Sequence, residues 1–198
     1  RLAAAKQIAS EFVADRAGDR LSVVAFAGES FTQCPLTSDQ GTVQTLLSRL
    51  RSGVIEDGTA IGNGLGTALN RLRESGAKSK VVILLTDGVN NRGQISPMMA
   101  AEIAKELGVR VYTIGVGRRG QAPYPAVDMF GNQTTVMADV EIDEELLRSI
   151  AKMTGGRYFR AENNSALAEI YDEINTLEKS EVQVMERVLY DELYLGWL

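Results

Sequence analysis

Two short loops carry the residues of this sequence that are best suited to chemistry. Asp87 lies in a Thr-Asp-Gly turn that directly follows an apolar run, and Thr59 closes an Asp-Gly-Thr loop earlier in the chain. Carboxylate and hydroxyl oxygens of this kind are ligands that Mg²⁺ and other hard divalent cations prefer. Taken alone, Asp87 is also compatible with a structural turn or a helix cap, so the surrounding elements must decide.

The elements around the two loops predict that they meet. The uninterrupted apolar run Val81–Leu85 is typical of a strand buried on both faces, as in a parallel sheet covered by helices on each side. Thr59 precedes a predicted helix from about Ala60 to Arg73, and that helix leads to the Val81–Leu85 strand. In a parallel α/β sheet, loops that follow strands in this way lie at the carboxyl edge, where ligands bind. A hydroxyl and a carboxylate are therefore expected together at this edge.

Composition excludes several other chemistries. The 198 residues contain no histidine and one cysteine, so a Ser-His-Asp or Cys-His nucleophile, a Cys/His zinc site and a CxxC redox motif all lack their parts. Cys34 cannot form an internal disulfide, and we expect it to be a small apolar residue packed in a strand. A net charge of −5 and a pI of about 4.9 disfavour nucleic-acid binding.

The remaining periodicity predicts an alternation of helices and strands. Helices are predicted over residues 1–16, about 39–51, 97–107, 143–154 and about 165–177, and strands over 21–27, 31–35, 109–116 and 157–160. The first two strands are joined by three residues, which predicts an antiparallel hairpin at one edge of the sheet. Residues 117–142 are predicted to be irregular, with a turn at Gly131-Asn132 that could join two short strands.

The predicted helix from Ala60 contains three glycines in five residues, Gly62, Gly64 and Gly66. Each interior glycine costs about 1 kcal/mol relative to alanine, so their presence indicates a helix packed very tightly on the sheet or beside a ligand. The spacing is superficially like a dinucleotide-binding loop. However, it follows a polar loop rather than a strand and lacks the required G-x-G-x-x-G pattern, which disfavours a nucleotide cofactor.

An ordered series of segments carries a family resemblance. The segments are FAGESFTQCPLT, EDGTAIG, LLTDGVNN, VRVYTIGVG, APYP and MTGGRYFRA. The series resembles the von Willebrand factor A (VWA) domain, and most closely the membrane-anchored Bat (aerotolerance-operon) VWA proteins of bacteria. The resemblance implies a three-layer, Rossmann-like α/β fold with a mostly parallel central sheet and one antiparallel edge strand. It also implies a metal-ion-dependent adhesion site (MIDAS), in which Thr59 matches the family's threonine and Asp87 its second aspartate.

One departure from the family pattern concerns the site directly. The Asp-x-Ser-x-Ser motif of the family is absent, because the sequence starts at the helix that normally follows it. The family's first, central strand, between the strands 21–27 and 81–85, is missing as well. We expect either that native residues are omitted or that another segment, such as residues 181–188, fills the position. A metal held by Thr59 and Asp87 alone is expected to bind weakly or not at all.

The resemblance implies a binding module rather than an enzyme, with no catalytic residue. We predict that Mg²⁺, or Mn²⁺ or Ca²⁺, at this edge binds an acidic side chain of a protein partner. Glu29, Ser30, Asn90 and Asn91 are predicted to lie on the same edge and to shape the partner surface. The alternatives are a VWA scaffold without a metal and a metal-dependent Rossmann-like enzyme. The enzyme would need a second acid or base, and the sequence offers no convincing one.

Domain organisation and location follow from the same comparison. Residues 1–180 are predicted to form the VWA domain, and residues 181–198 a tail that is membrane-proximal or occupies the missing strand position. The chain begins with Arg1 and has no signal-peptide pattern, so we expect an excised domain whose membrane anchor lies outside it. Bat resemblance implies the bacterial inner membrane, stress tolerance, and partners among other Bat-type proteins and MoxR-type AAA+ ATPases.

Overall fold

A computed structural model of the chain describes residues 2–51, 57–73, 75–117, 121–127, 133–139 and 142–178. The helices are α1 (Leu2–Ala14), α2 (Gln40–Ser48), α3 (Ile61–Arg73), α4 (Pro97–Glu106), α5 (Glu144–Met153) and α6 (residues 164–178). The strands are β1 (Leu21–Phe26), β2 (Ser30–Thr37), β3 (Lys80–Thr86), β4 (Val109–Val116), β5 (Gln121–Val127), β6 (Gln133–Asp139) and β7 (Tyr158–Ala161). The tail 181–198 lies outside the described residues.

The strands form three hydrogen-bonded groups. Strands β3, β4 and β7 make a parallel sheet in that order, β1 and β2 form an antiparallel pair, and β5 and β6 form a second antiparallel pair. The parallel sheet and the antiparallel β1–β2 hairpin confirm the predicted α/β architecture. In β3, Lys80 pairs with Val109 and Thr86 with Gly115, so the two strands are in register along their whole length.

Alternate residues of β4 point into two different cores, which defines the layers. Val109 and Val111 pack in a cluster with α3, α4 and α5, whereas Tyr112 and Ile114 pack in a cluster with α1 and α6. Almost every residue of β4 is buried, as expected for a strand covered by helices on both faces. The sheet is therefore the middle of three layers, and its carboxyl edge is left to the loops.

The helix ends agree closely with the sequence signals. The side chain of Asp39 accepts a hydrogen bond from the Thr42 backbone N–H at the start of α2, and Asp143 does the same for Leu146 at α5. Pro97 lies in the first turn of α4, as predicted. Cys34 is fully buried in β2, which confirms its role as a packed apolar residue.

The end of α6 is fixed to the amino edge of the sheet by a buried carboxylate. Glu178 is 5% exposed and accepts hydrogen bonds from the Tyr112 hydroxyl and the Arg110 guanidinium, each at 2.7 Å. The Ser79 hydroxyl also donates to Glu178 at 3.4 Å, just before β3 begins. Burial, and then the Glu178 carboxylate, raise the pKa of Tyr112 to about 12. This cluster lies at the opposite edge of the sheet from Thr59 and Asp87.

Burial of the strands predicted at 21–27 and 81–85 is incomplete, although helices cover both faces of β3 as expected. Every residue of β1 is only partly buried, and in β3 only Leu84 and Thr86 are buried. The physical reason is that each strand has a single neighbouring strand: among the described residues, β1 is paired only with β2, and β3 only with β4. Helices cover the faces of these strands, but among the described residues each of the two has a strand partner along one edge only.

The prediction of an irregular segment over 117–142 also needs correction. Residues 121–127 and 133–139 are paired antiparallel over seven positions each, from Gln121 opposite Asp139 to Val127 opposite Gln133. The possibility of two short strands was therefore correct, although the strands are longer than expected. Pro123 and Pro125 lie within β5, and proline is compatible with a strand in a two-stranded hairpin, where one edge needs no donor. The Gly131-Asn132 turn lies outside the described residues.

Candidate metal site

Backbone hydrogen bonds tie the loop before α3 to the loop after β3. The backbone N–H of Asn91 donates to the Thr59 carbonyl at 3.0 Å, and that of Arg92 donates to the same carbonyl at 3.3 Å. In return, the Thr59 N–H donates to the side-chain oxygen of Asn91 at 2.9 Å. The structure thus brings together the two loops that the sequence singled out, at the carboxyl edge where β3 ends.

Two further asparagines fix the position of α3 relative to these loops. The side-chain oxygen of Asn90 accepts from the Ile61 N–H at 2.8 Å, so it serves one of the free donors in the first turn of α3. The side-chain oxygen of Asn63 accepts from the N–H groups of Gln94 and Ile95, at 3.1 and 3.0 Å. Sequence reasoning did not identify Asn63. Its signal is an asparagine inside a helix, where this residue type is disfavoured unless it bonds elsewhere.

The Thr59 hydroxyl lies directly against the turn that carries Asp87. A Cβ atom built on Gly88 would be 2.8 Å from the Thr59 Oγ1 atom, which shows how closely the two loops approach. The turn itself is closed by Thr86, whose Oγ1 atom accepts from the Gly88 N–H at 3.3 Å. Thr86 is 6% exposed, whereas Asp87 is exposed to solvent at the edge of the sheet. A hydroxyl and a carboxylate-bearing turn are therefore adjacent, as predicted.

Gly58 allows the loop before α3 to approach its neighbours. Its φ of +140° lies in the region that side-chain-bearing residues rarely adopt, and a Cβ there would lie 2.5 Å from Arg92 Cγ and 3.3 Å from Gly28 Cα. The β1–β2 turn, the loop before α3 and the loop after β3 therefore form one contiguous surface at the carboxyl edge.

The four predicted partner-contacting residues have distinct environments on this surface. Glu29 is exposed at the β1–β2 turn, which is closed by a 2.8 Å hydrogen bond from the Ala27 N–H to the Glu29 carbonyl. Ser30 donates to the Asn63 carbonyl at 3.1 Å and lies 2.8 Å from the Thr67 hydroxyl, so it also connects β2 to α3. Asn90 and Asn91 hold loops, as described above. Contact of any of the four with a partner stays a prediction.

The donor atoms suit a hard cation, but they are few. Thr59 and Asp87 supply a neutral and an anionic oxygen, a combination that Mg²⁺ accepts when water completes its octahedron. Across the described ranges, no group of three or more His, Cys, Asp or Glu residues is placed to hold a metal ion. The chemistry of the residues therefore fits a divalent cation that is bound mainly through other ligands, such as water.

Comparison with known proteins agrees with this fold. The model of the von Willebrand factor type A domain family matches residues 1–173. The three-layer α/β fold with its parallel sheet is the architecture of this class of domain. The chain belongs to the VWA family.

Solved structures place the chain near Bat proteins within that family. An aerotolerance-related membrane protein from Bacteroides fragilis is 28% identical, with a TM-score of 0.73 and coverage of 87% of each chain. BatB from Bacteroides thetaiotaomicron is 31% identical, with a TM-score of 0.71, and the match covers 90% of this chain and 89% of that one. A mussel byssus protein, proximal thread matrix protein 1, has a zinc-occupied MIDAS motif; it is 25% identical, with a TM-score of 0.67, over 88% of this chain and 40% of its own.

Curated relatives are longer than this chain. A UPF0353 protein from Nocardia farcinica is 30% identical over 90% of this chain and 56% of its own length. A protein from Borreliella burgdorferi is 26% identical over all of this chain and 58% of its own length. The chain thus spans little more than half the length of these relatives.

Proposed function

We propose that this chain is a metal-dependent protein-binding module whose cation is held at Thr59 and Asp87. The observation that carries the proposal is the set of hydrogen bonds between Thr59 and residues 91 and 92, which fixes the hydroxyl beside the Asp87 turn. A site that is already assembled loses little conformational entropy when it binds. The cation is Mg²⁺, Mn²⁺ or Ca²⁺, and the zinc-occupied MIDAS of the mussel protein supports a divalent ion at this position.

The charge of the chain explains why a cation is needed for an acidic partner. The sequence has a net charge of −5, and Asp57, Asp87 and Glu29 all lie on or beside the proposed surface. A partner carboxylate approaching this surface is repelled unless a bound cation reverses the local charge. The partner is therefore a protein that presents an Asp or Glu side chain, and its binding requires the metal.

Short peptides test this proposal without knowledge of the natural partner. We would use the chain extended through the native residues ahead of Arg1 and titrate into it a Gly-Asp-Gly peptide and a matched Gly-Asn-Gly peptide, both acetylated and amidated at their ends. Each titration is made with Mg²⁺ and with a chelator, and the NMR signals of residues next to Thr59 and Asp87 are followed. We expect chemical-shift changes only for the aspartate peptide with Mg²⁺, and none in Asp87→Ala. Equal shifts with the chelator, or with the asparagine peptide, would rule out a metal-bridged carboxylate.

The cellular setting is also proposed from the relatives. We propose that the module works in a bacterial inner-membrane protein of the Bat type, linked to stress or aerotolerance, with other Bat-type proteins and a MoxR-type AAA+ ATPase as partners. Support comes from the Bacteroides fragilis neighbour, which is described as an aerotolerance-related membrane protein. Within the part of the chain that the structure describes, no helix is long and apolar enough to cross a bilayer. By analogy with the Bat relatives, we propose a membrane anchor outside residues 1–198.

A scaffold without metal is the second candidate. It is favoured by the hydrogen bonds that hold the two loops together with protein atoms alone, and by the small number of acidic ligands among the described residues. On that account, Asp87→Ala leaves partner binding unchanged. An enzymatic role is not proposed, because the sequence has no histidine and offers no convincing second acid or base beside Asp87.

A further inference from the structure

The β5–β6 hairpin has two outer edges that no other described strand covers. Among the described residues, each of its strands pairs only with the other, from Gln121 opposite Asp139 to Val127 opposite Gln133. A two-stranded hairpin is marginally stable by itself, and additional strands stabilise it. The hairpin therefore favours an added strand, and the backbone groups along each edge decide where that strand can bind.

Two prolines close the outer edge of β5 to a further strand. Pro123 and Pro125 have no N–H, yet all seven positions of β5 are paired with β6. The N–H groups that bond to β6 are therefore those of the alternate residues, Ala122, Tyr124 and Ala126. The prolines occupy positions whose backbone groups face outwards, and proline at such positions prevents pairing with another chain.

The outer edge of β6 keeps all of its backbone groups. By the same alternation, the N–H and C=O groups of Gln133, Thr135, Met137 and Asp139 face away from β5. Strand β6 contains no proline and no lysine, and Asp139 at its end is its only charged residue. Proline and charge, above all lysine, are the usual protection of an edge strand. The hairpin thus has one protected edge and one unprotected edge.

The base of the hairpin is fixed to the parallel sheet by Arg160 in β7. The guanidinium of Arg160 donates to the carbonyl of Gly117, which precedes the hairpin, at 2.9 Å. It also forms an ion pair with the carboxylate of Glu144, which follows the hairpin. The Gly117 N–H donates to the Ala161 carbonyl at 2.9 Å. Both chain ends of the hairpin are therefore held at the carboxyl edge, where β4 ends.

The sequence of β6 is compatible with pairing to a second copy of itself. A two-fold axis at Val136 aligns two β6 strands antiparallel over all seven residues, with Gln133 opposite Asp139 of the second copy and Thr135 opposite Met137. The residues whose backbone groups face outwards then face each other, which allows about eight hydrogen bonds between the copies. This alignment opposes no two like charges, which would destabilise an antiparallel pair.

The resulting four-stranded sheet does not add further strands. Its order is β5-β6-β6-β5, so both of its outer edges carry the prolines of β5. Because the two β6 strands run antiparallel, the bases of the two hairpins lie at opposite ends of the sheet, and the two domains do not compete for the same space. Such an arrangement is a closed C2 dimer, in which both copies use the same surface.

We propose that this protein forms a two-fold dimer in which the β6 edges of two copies pair antiparallel around Val136. A second copy fits better than an unrelated extended segment, because β6 is complementary to itself in register and charge. One open edge and one closed edge per hairpin also limit the assembly to two copies. A single strand pair is a small interface, so the dimer dissociates at low protein concentration.

Disulfide trapping tests the register of the dimer. The chain extended ahead of Arg1, as in the peptide titrations, is used with a chelator, so the outcome does not depend on the proposed metal. Val136→Cys places a thiol at the two-fold axis, where the Cα atoms of a non-hydrogen-bonded pair are about 4.5 Å apart, within the range of a disulfide. Cys34 is the only native cysteine and is buried.

Tyr124→Cys is the matched control for trapping. Tyr124 lies opposite Val136 in the hairpin but belongs to β5, so both β6 strands separate the two Tyr124 positions of a dimer. Under mild oxidation, we expect the covalent dimer to form at least about tenfold faster in Val136→Cys, because pairing raises the effective concentration of the two thiols. Equal rates for the two variants would overturn the proposal.

A proline substitution tests the backbone contact independently. Thr135→Pro removes one outward N–H of β6 and leaves the bonds within the hairpin, because Thr135 lies opposite Pro125 at a position that does not donate to β5. Thr135→Val keeps the N–H and is the control. By analytical ultracentrifugation, we expect the parent and Thr135→Val to dimerise alike, and Thr135→Pro to dimerise at least about tenfold more weakly.

Two results of the ultracentrifugation would also overturn the proposal. One is a parent chain that stays monomeric up to about 1 mM. The other is a dimer whose affinity is the same in Thr135→Pro and Thr135→Val. Circular dichroism checks that the variants are folded, and disulfide trapping still decides the question if Thr135→Pro does not fold.

Discussion

At the scale of single residues, asparagine side chains join the loops that form the candidate site. Asn90, Asn91 and Asn63 each accept backbone hydrogen bonds across loops that are about thirty residues apart in sequence. The sequence predicted that Thr59 and Asp87 would meet, because both follow from the order of strands in a parallel sheet. It did not predict how the loops are joined, since hydrogen bonds of this kind depend on the exact path of the loops.

Replacing Asn91 with Ala tests the role of the loop amides. The substitution removes the acceptor for the Thr59 N–H at the start of α3, and loss of a comparable cap costs about 1 kcal/mol. We expect that decrease in the free energy of unfolding, measured by urea denaturation. Asn70→Ala is the matched control, because Asn70 is exposed on α3. Equal effects of the two substitutions would contradict the assignment.

The glycines of α3 give a second residue-scale prediction. A Cβ on Gly62 would lie 1.9 Å from the Ile95 carbonyl oxygen, whereas one on Gly66 would meet only the flexible end of the Ile95 side chain at 3.1 Å. We expect Gly62→Ala to lower the free energy of unfolding by about 2–3 kcal/mol. We expect Gly66→Ala to stay within about 1 kcal/mol of the parent, since alanine favours the helix.

Chemical denaturation of both variants decides whether tight packing explains these glycines. Comparable losses for Gly62→Ala and Gly66→Ala would argue against it. Of the two explanations offered by the sequence, the structure supports close packing: Gly62 lies against the Ile95 backbone and Gly64 against the Phe26 ring.

At the scale of elements, the anchoring of α6 rests on Glu178. Its carboxylate accepts from both Arg110 and Tyr112, and its side chain is 6% exposed. We expect Glu178→Ala to lower the free energy of unfolding by about 2–4 kcal/mol, because it leaves buried donors without their acceptor. Glu173→Ala on the same helix removes only an exposed pair with Arg157 and is expected to cost less than about 1 kcal/mol. Thermal and urea unfolding of the two variants would refute this if their losses were equal.

Alkaline pH is expected to weaken the contact between the Tyr112 hydroxyl and the Glu178 carboxylate. The folded pKa of Tyr112 is about 12, raised first by burial and then by Glu178, whereas an unfolded tyrosine titrates near 10. The folded state holds the phenolic proton of Tyr112 more tightly than the unfolded state does. The contribution of this protonated hydroxyl to folding stability is therefore full below about pH 10 and is lost as pH rises through about 12.

The measurement is the free energy of unfolding across that pH window, for the parent and for Tyr112→Phe. We expect a shallower fall in Tyr112→Phe. Burial also raises the pKa of Tyr171 to about 12, so part of the fall should remain in the variant. Identical slopes for the two proteins would show that Tyr112 does not contribute.

Elements also show where sequence reasoning succeeds and where it fails. Apolar periodicity and caps located the helices and β3 well, because those signals are local. The degree of burial of β1 and β3 was overestimated, since it depends on a lateral neighbour that local pattern does not report. The length of the β5–β6 hairpin was underestimated, because Pro123 and Pro125 make the sequence of β5 look unlike a strand. The pairing of β5 depends on β6, which a local pattern in β5 does not report.

At the scale of the whole molecule, fold and site follow from one arrangement. Helix α3 packs against Phe26 of β1 and Val82 of β3, and the loop before α3 meets the loop after β3 at the carboxyl edge. The proposed cation position therefore lies where these two loops meet. Metal affinity is expected to be weak in residues 1–198 alone and stronger when the native residues ahead of Arg1 are present, because affinity rises with the number of ligands.

Calorimetric titration of Mg²⁺, repeated with Mn²⁺, is the measurement that tests the metal site most directly. It compares residues 1–198 with a chain extended through the native residues ahead of Arg1, each with an Asp87→Ala counterpart. We predict clear binding in the extended chain, little or none in residues 1–198, and loss of binding in Asp87→Ala. Absence of binding in both chains, or binding that survives Asp87→Ala, would contradict a metal site at Thr59 and Asp87.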